Sequence, residues 1–74
     1  MKRLIDVLFE LRNRNLIVNC TNGINEEVRL YKGLGKNIID VVRREILLRP
    51  IISRRLGNNG VVIITIDFNY YREG

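Results

Sequence analysis

Several residue types are scarce in this chain of 74 residues, and each scarcity excludes a class of function. Histidine is absent, so a nucleophile activated by a histidine base cannot be assembled. The one cysteine, Cys20, cannot form an intramolecular disulfide, and without histidine it cannot complete a zinc site of the usual kind. We therefore expect a protein without enzymatic activity, cofactor or metal.

Long apolar runs are also missing. No run approaches the roughly 18 to 20 residues that a membrane-spanning helix needs. Lys2 and Arg3 precede an apolar stretch, as in a signal peptide, but Asp6 and Glu10 interrupt that stretch and no small-residue cleavage site follows. We therefore expect the chain to remain in the cytoplasm.

The length and the charge of the chain indicate what it associates with. A domain of this size buries only roughly 60% of its unfolded surface, and small chains often gain stability by oligomerising. Thirteen Lys and Arg residues against eight Asp and Glu give a net charge of +5. This charge favours an anionic partner, which could be a nucleic acid, an acidic lipid surface or an acidic protein.

Residues 1–14 predict an amphipathic helix. At about 100° per residue their apolar side chains fill one continuous arc, and basic residues flank that arc at both ends. A basic rim around a bulky apolar face favours contact with an acidic membrane, whereas the periodicity alone fits a helix packed on the core equally well. The predicted membrane-binding residues are Lys2, Arg3, Leu4, Ile5, Leu8, Phe9, Leu11 and Arg12.

Residues 15–33 predict a short strand and a loop. Leu16, Ile17 and Val18 form the strand candidate, and Asn22-Gly23 is a strong turn signal. The segment 24–34 fits either a second short strand or an ordered loop.

Residues 34–74 predict a helix followed by a hairpin. The helix runs from Lys36 to Leu48 and is stopped by Pro50. The hairpin pairs residues 51–56 with residues 61–71 around a turn of Gly and Asn. On its last strand Val62, Ile64, Ile66, Phe68 and Tyr70 form an apolar face that should cover the helix.

The opposite face of that strand begins apolar and ends polar, which suggests a second layer formed by another copy of the chain. We expect the dimer interface to include Ile38, Val41, Val42, Glu45, Val61 and Ile63. The predicted fold is thus α+β: an N-terminal amphipathic helix followed by a βαββ unit, which dimerises into an antiparallel sheet covered by helices.

A second interpretation is a small basic βαββ dimer that binds nucleic acid. Arg43, Arg44, Arg54 and Arg55 would form its basic face, with Tyr70 and Tyr71 as stacking residues. The segment from Lys32 to Ile38 resembles the strand-to-helix turn of the Alba chromatin proteins. That resemblance covers few residues, and the Alba fold has a strand before its first helix that this chain lacks.

The chain as a whole resembles the MinE family, the topological specificity factors of cell division. Its start, Leu4-Ile5-Asp6-Val7-Leu8-Phe9 followed by Arg12 and Arg14, is similar to the family's amphipathic stretch. The block of residues 34–42, with Pro50 at the matching offset, is similar to the family's central helix, and a hairpin follows in both. Asn37 stands where the family usually has Asp.

The resemblance implies a homodimer that places the division site. Such a protein would bind the membrane-associated ATPase MinD, stimulate its ATP hydrolysis and release it from the membrane, with no nucleic acid as a partner. The positions implied for MinD binding are Arg14, Leu16, Ile17 and Val18, in a tract that is a strand at rest and a helix when bound. The expected location is cytoplasmic and peripheral at the inner face of the cell membrane, or in the plastid stroma for an organellar protein.

Overall fold

A computed structural model of the chain describes residues 2–21 and 27–67. A four-stranded mixed sheet carries short helical segments on one face, so the prediction of a small α+β domain is confirmed. The elements are α1 (Leu4–Val7), β1 (Asn15–Thr21), β2 (Glu27–Leu34), a 3₁₀ helix (Gly35–Asp40), α2 (Arg44–Leu47), β3 (Ile51–Leu56), a 3₁₀ turn (Asn58–Gly60) and β4 (Val62–Asp67). Dimerisation stays a prediction.

The sheet has the strand order β2-β1-β4-β3. β1 pairs antiparallel with β2 and parallel with β4, and β3 pairs antiparallel with β4. Within one chain the expected antiparallel sheet and βαββ order are therefore wrong, because β1 and β4 run parallel and two strands precede the helical segments. A parallel pair needs a long crossover connection, and the chain between β1 and β4 supplies one because it contains two further strands and the helical segments.

The core lies between one face of the sheet and the helical segments. Along the parallel pair Leu16 lies beside Val62 and Val18 beside Ile64, and all four side chains are buried. This confirms the predicted inward face of the last strand for the described residues, whereas Phe68 and Tyr70 lie outside them. The remaining buried apolar residues are Leu4, Val7, Leu8, Leu11, Cys20, Tyr31, Ile38, Ile46, Leu47 and Ile66.

The N-terminal helix is shorter than predicted. Only Leu4–Val7 is α-helical, and turns continue to Asn13. The backbone N–H of Leu4 donates to the carbonyl of Arg49 at 3.0 Å, so the start of the segment is fixed against the chain that precedes β3. The predicted apolar periodicity is present, but its stripe at i, i+3, i+4 and i+7 points into the core.

The continuous helix predicted from Lys36 to Leu48 is wrong. The chain forms a 3₁₀ helix over Gly35–Asp40, and then Arg43 adopts an extended conformation before α2 begins. β-Branched residues are frequent in this segment, and they lower helix propensity. The break leaves Ile38 and Ile46 in the core while Val41 stays exposed.

The strand predictions agree with the structure more closely. The candidate at Leu16–Val18 extends to the seven-residue strand β1, and most of the ambiguous segment after it forms β2. The predicted hairpin forms between β3 and β4. Asn59 and Gly60 close its turn with φ values of 62° and 77°, a conformation that these two residue types tolerate well.

We expect Gly35→Ala to lower the free energy of unfolding by about 1–3 kcal/mol. A Cβ at this position would lie 2.1 Å from the carbonyl oxygen of Leu11, which is backbone and cannot rotate away. Urea denaturation compared with Lys36→Ala, an exposed neighbour, measures the effect. Equal midpoints for the two variants would contradict this account of the close approach.

Candidate functional site: the basic end of the sheet

The strand directions collect basic residues at one end of the sheet. β1 and β4 begin there, and β2 and β3, which run antiparallel to them, end there. Residues that precede β1 therefore lie near residues that end β2 and β3. We call this region the basic end, and its exposed cations are Arg12, Arg14, Lys32, Lys36, Arg54 and Arg55.

Backbone hydrogen bonds tie the segments of the basic end together. The N–H of Gly35 donates to the carbonyl of Arg14 at 2.9 Å, and the N–H of Lys36 donates to the carbonyl of Arg12 at 3.0 Å. The Arg14 guanidinium extends to the hairpin turn, where its Nη2 donates to the carbonyl of Gly60 at 3.0 Å. The turn before β1 is thus fixed to both neighbouring connections.

Two shallow grooves open at this end. One, of about 470 Å³, is lined by Arg14, Arg54, Arg55, Leu56 and Val62. The other, of about 540 Å³, is lined by Asn15, Leu16, Ile17, Lys32, Gly33, Asn58, Asn59 and Val61. Guanidinium, ammonium and amide groups in such grooves donate hydrogen bonds to phosphate and sugar oxygens.

The open face of the sheet joins the two sides of the basic end. Ile17 of β1 lies beside Ile63 of β4, and both are half-buried on the face opposite the core. Lys32 is the β2 partner of Ile17, and Arg55 is the β3 partner of Ile63. A short apolar strip on the open face is therefore flanked by a cation on each edge strand.

Glu10 modifies the charge of the basic end. Its carboxylate accepts a hydrogen bond from Arg54 at 3.0 Å, and both side chains are exposed. This hydrogen bond is the main cause of the lowered pKa of Glu10, and the positive charges of Arg54, Lys2 and Arg14 lower that pKa further. Glu10 therefore stays ionised through the neutral range and competes with external anions for Arg54.

The opposite end of the sheet has a different character. Glu27 begins β2 and accepts a hydrogen bond from Asn19 at 3.2 Å. Asp67 ends β4, and its carboxylate pairs with Arg49 at 3.2 Å. Among the described residues this end therefore mixes carboxylates with cations, because Arg29 is the β2 partner of Asn19 and Arg3 bridges Pro50 just before β3, whereas the basic end has six exposed cations around the carboxylate of Glu10.

The predicted membrane-binding residues separate into two groups. Leu4, Leu8 and Leu11 are buried in the core, so as folded here they do not face a membrane. Ile5 and Phe9 lie at the surface with exposed fractions of 42% and 76%. The cations of the set, Lys2, Arg3 and Arg12, are exposed.

The positions implied for MinD binding lie in or beside the central strand β1. Leu16 and Val18 are buried in the core, Ile17 lies on the open face, and Arg14 belongs to the basic end. Because β1 is hydrogen-bonded to β2 and to β4, its conversion to a helix would break two ladders.

The predicted dimer-interface residues are also divided by the fold. Ile38 is buried in the core of its own chain, because the 3₁₀ helix turns it inward, and as folded here it is not available to a second copy. Val61 and Ile63 are half-buried, the latter on the open face as expected. Val41 and Glu45 are exposed and Val42 is half-buried in the helical layer.

Only part of the basic face expected for a nucleic-acid binder lies at the basic end. Arg54 and Arg55 lie at the basic end, whereas Arg43 and Arg44 lie where α2 begins. Tyr70 and Tyr71 lie outside the described residues. The fold adds four cations that the sequence pattern did not group with this face: Arg12, Arg14, Lys32 and Lys36.

Comparisons with protein-family models, with curated proteins and with solved structures found no match for this chain. Within residues 2–21 and 27–67 no group of His, Cys, Asp and Glu could hold a metal ion. No helix in that part of the chain has the length and hydropathy needed to cross a membrane.

We expect Glu10→Gln to strengthen binding of heparin, a polyanionic probe, because it removes the carboxylate that competes for Arg54. Asp40→Asn, an equal change of charge on an exposed residue of the 3₁₀ helix, is the control. Elution from a heparin column in a salt gradient measures both. Equal shifts in the two variants would show that net charge alone determines retention.

The same pair predicts a pH dependence of stability. Because Arg54 lowers the pKa of Glu10 in the folded chain, the pair stabilises the fold above the ordinary range of a glutamate. This contribution is lost as the pH falls through the lowered pKa. The melting temperatures of the wild type and of Glu10→Gln should therefore converge at acid pH. A difference between them that does not change with pH would contradict the assignment of this pair.

Proposed function

We propose that this chain is a non-catalytic protein that binds nucleic acid through the basic end. The observation that carries the proposal is the convergence of six exposed cations from four separate elements beside two shallow grooves. Such a cluster of Arg and Lys is typical of surfaces that follow a phosphate backbone. The net charge of +5 adds a longer-range attraction for the same partner.

The groups around these cations support a polynucleotide rather than a single small anion. The grooves lie on two sides of Arg14 and the hairpin turn, so the cations are spread across the end of the sheet. Asn15, Asn58 and Asn59 supply amide groups between them, and such groups contact sugar and phosphate oxygens.

Charge reversal at the basic end should weaken binding to a labelled oligonucleotide. We expect Lys32→Glu with Arg55→Glu to reduce affinity at least about tenfold. The slope of log affinity against log salt concentration should fall by the amount that corresponds to about two phosphate contacts. Both side chains are exposed on edge strands, so the fold should persist. Fluorescence anisotropy over a salt series measures the affinity and the slope.

The matched control is Arg43→Glu with Arg44→Glu, which changes the net charge equally at the start of α2. This variant should retain most of the affinity and most of the salt slope. Equal losses in the two double variants would sink the assignment to the basic end, and an absence of salt-dependent binding by the wild type would sink the function.

A second proposal follows the resemblance to MinE: a homodimeric regulator that binds a MinD-type ATPase, stimulates its hydrolysis and releases it from the membrane. The surface at the N-terminal turn favours it, because Ile5 and Phe9 are exposed beside Lys2, Arg3 and Arg12. Such an apolar patch with a basic rim fits an acidic membrane surface. The strand form of β1 agrees with the resting state that the resemblance implies.

Cys20 tests this second proposal without any mutation. It lies in β1, is buried, and burial raises the pKa of its thiol, so alkylation of the free protein should be slow. If the partner extracts β1, a MinD-type ATPase with ATP will accelerate the labelling and the chain will stimulate hydrolysis. Ile17→Asp should abolish the stimulation; unchanged labelling and unchanged ATPase rates with the wild type would refute the proposal.

A further inference from the structure

We infer that the nucleic acid held at the basic end is single-stranded, and that Phe9 and Arg12 form a platform on which its bases stack. This inference rests on the proposed nucleic-acid function and adds the class of strand and the residues that select it.

Phe9 is the first observation. Its side chain is 76% exposed, more than any other large apolar side chain of the described residues. Its neighbours in the stripe of the N-terminal segment, Leu8 and Leu11, are buried in the core. The ring therefore contributes little to the core, and most of its surface is accessible to a planar ligand.

Arg12 holds that ring in a defined arrangement. The guanidinium carbon of Arg12 lies 4.0 Å from the centroid of the Phe9 ring, which is cation–π geometry. Its Nη1 also donates to the backbone carbonyl of Phe9. Two planar groups are thus held against each other on one turn of backbone. Because these side chains are already ordered, less side-chain entropy is lost when a base stacks on them.

The pair belongs to the basic end. The carbonyl of Arg12 accepts the hydrogen bond from the N–H of Lys36, and the carbonyl of Arg14 accepts the one from Gly35. The turn that carries the platform is therefore hydrogen-bonded to the segment that carries Lys36, one of the cations that would follow the phosphates. Aromatic and guanidinium planes beside a basic groove are the arrangement that proteins use for single strands.

Duplex DNA fits this arrangement less well. Its bases are stacked within the helix, so an aromatic platform on the protein surface has no base to stack on. Reading the major groove usually requires an inserted helix or a two-stranded β-ribbon. The described α-helices span only four residues each, and the β3–β4 hairpin is paired with β1 as part of the sheet.

A lipid surface is the other partner that an exposed Phe and a basic rim could attract. The fold weakens that alternative because Leu4, Leu8 and Leu11 are buried, which leaves Ile5 and Phe9 as the exposed part of the predicted apolar face. Interfacial binding scales with the apolar area inserted, and two side chains supply little of it.

The test compares the wild type with Phe9→Leu and Phe9→Tyr on a labelled oligothymidine of about twelve nucleotides and on a duplex of equal length. We expect the wild type to prefer the single strand. Phe9→Leu keeps an apolar side chain but removes the ring, so it should lose at least about fivefold in single-strand affinity while duplex affinity is unchanged. Phe9→Tyr keeps the ring and should retain the affinity.

A spectroscopic readout distinguishes stacking from a structural effect. The chain contains no tryptophan, so Phe9→Trp introduces a single tryptophan at the platform, whose emission can be excited selectively over that of the three tyrosines. Single-stranded DNA should quench its emission, and duplex should quench it much less. Quenching that is equal for both would overturn the stacking assignment.

The remaining outcomes separate the inference from the function it rests on. If Phe9→Leu binds the single strand as the wild type does, while Lys32→Glu with Arg55→Glu weakens binding as expected, the platform is refuted and the basic end stands. If the wild type binds neither DNA, both are refuted. If Phe9→Leu loses only binding to vesicles of phosphatidylglycerol and phosphatidylcholine, the patch serves a membrane and the inference fails.

Discussion

The parallel pairing of β1 with β4 is the constraint on which the rest of the molecule depends. Leu16 to Thr21 align with Val62 to Asp67, so the pair joins the first and the last strand of the described chain. This pair forms the centre of the sheet and supplies the buried row against which the helical segments pack. It also fixes where every other strand begins and ends, because β2 and β3 can add only at its outer edges. The meeting of six cations at one end of the sheet is therefore a result of topology.

Much of the fold can be read from hydrophobic alternation. Val62, Ile64 and Ile66 recur with a period of two and alternate with Thr65 and Asp67 in the second half of the strand, and that period indicates both the strand and its inward face. The hairpin turn is recognisable because Asn59 and Gly60 are residue types that accept positive φ. The periodicity of a segment does not predict its structure where tertiary contacts decide between a helix and a turn. The turn of residues 8–13 and the break at Arg43 interrupt patterns that would otherwise continue as helices, and the parallel direction of β1 is not encoded in any local pattern.

The candidate site was harder to anticipate than the fold. Arg54 and Arg55 are adjacent in the sequence and attract notice as a basic pair, whereas Lys32 and Arg14 have no local feature that links them. Only the pairing register brings these cations together, across four strands. The same holds for Phe9, whose apolar character in an amphipathic pattern first suggests burial or a membrane. Its exposure follows from the direction in which the segment packs, since Leu8 and Leu11 take the inward positions and the ring is left outside.

The central place of β1 also affects how the chain acquires its structure. β1 and β2 are joined by a short connection and can pair soon after they are made, but the other edge of β1 waits for β4, the last strand of the described chain. Until β4 arrives, that edge presents unpaired N–H and C=O groups beside a row of apolar side chains, which is a template for unwanted pairing with another chain. Non-local strand pairing of this kind slows folding, since most of the chain must be closed into a loop before the contact is formed. During synthesis the nascent chain is therefore most prone to aggregation just before β4 leaves the ribosome.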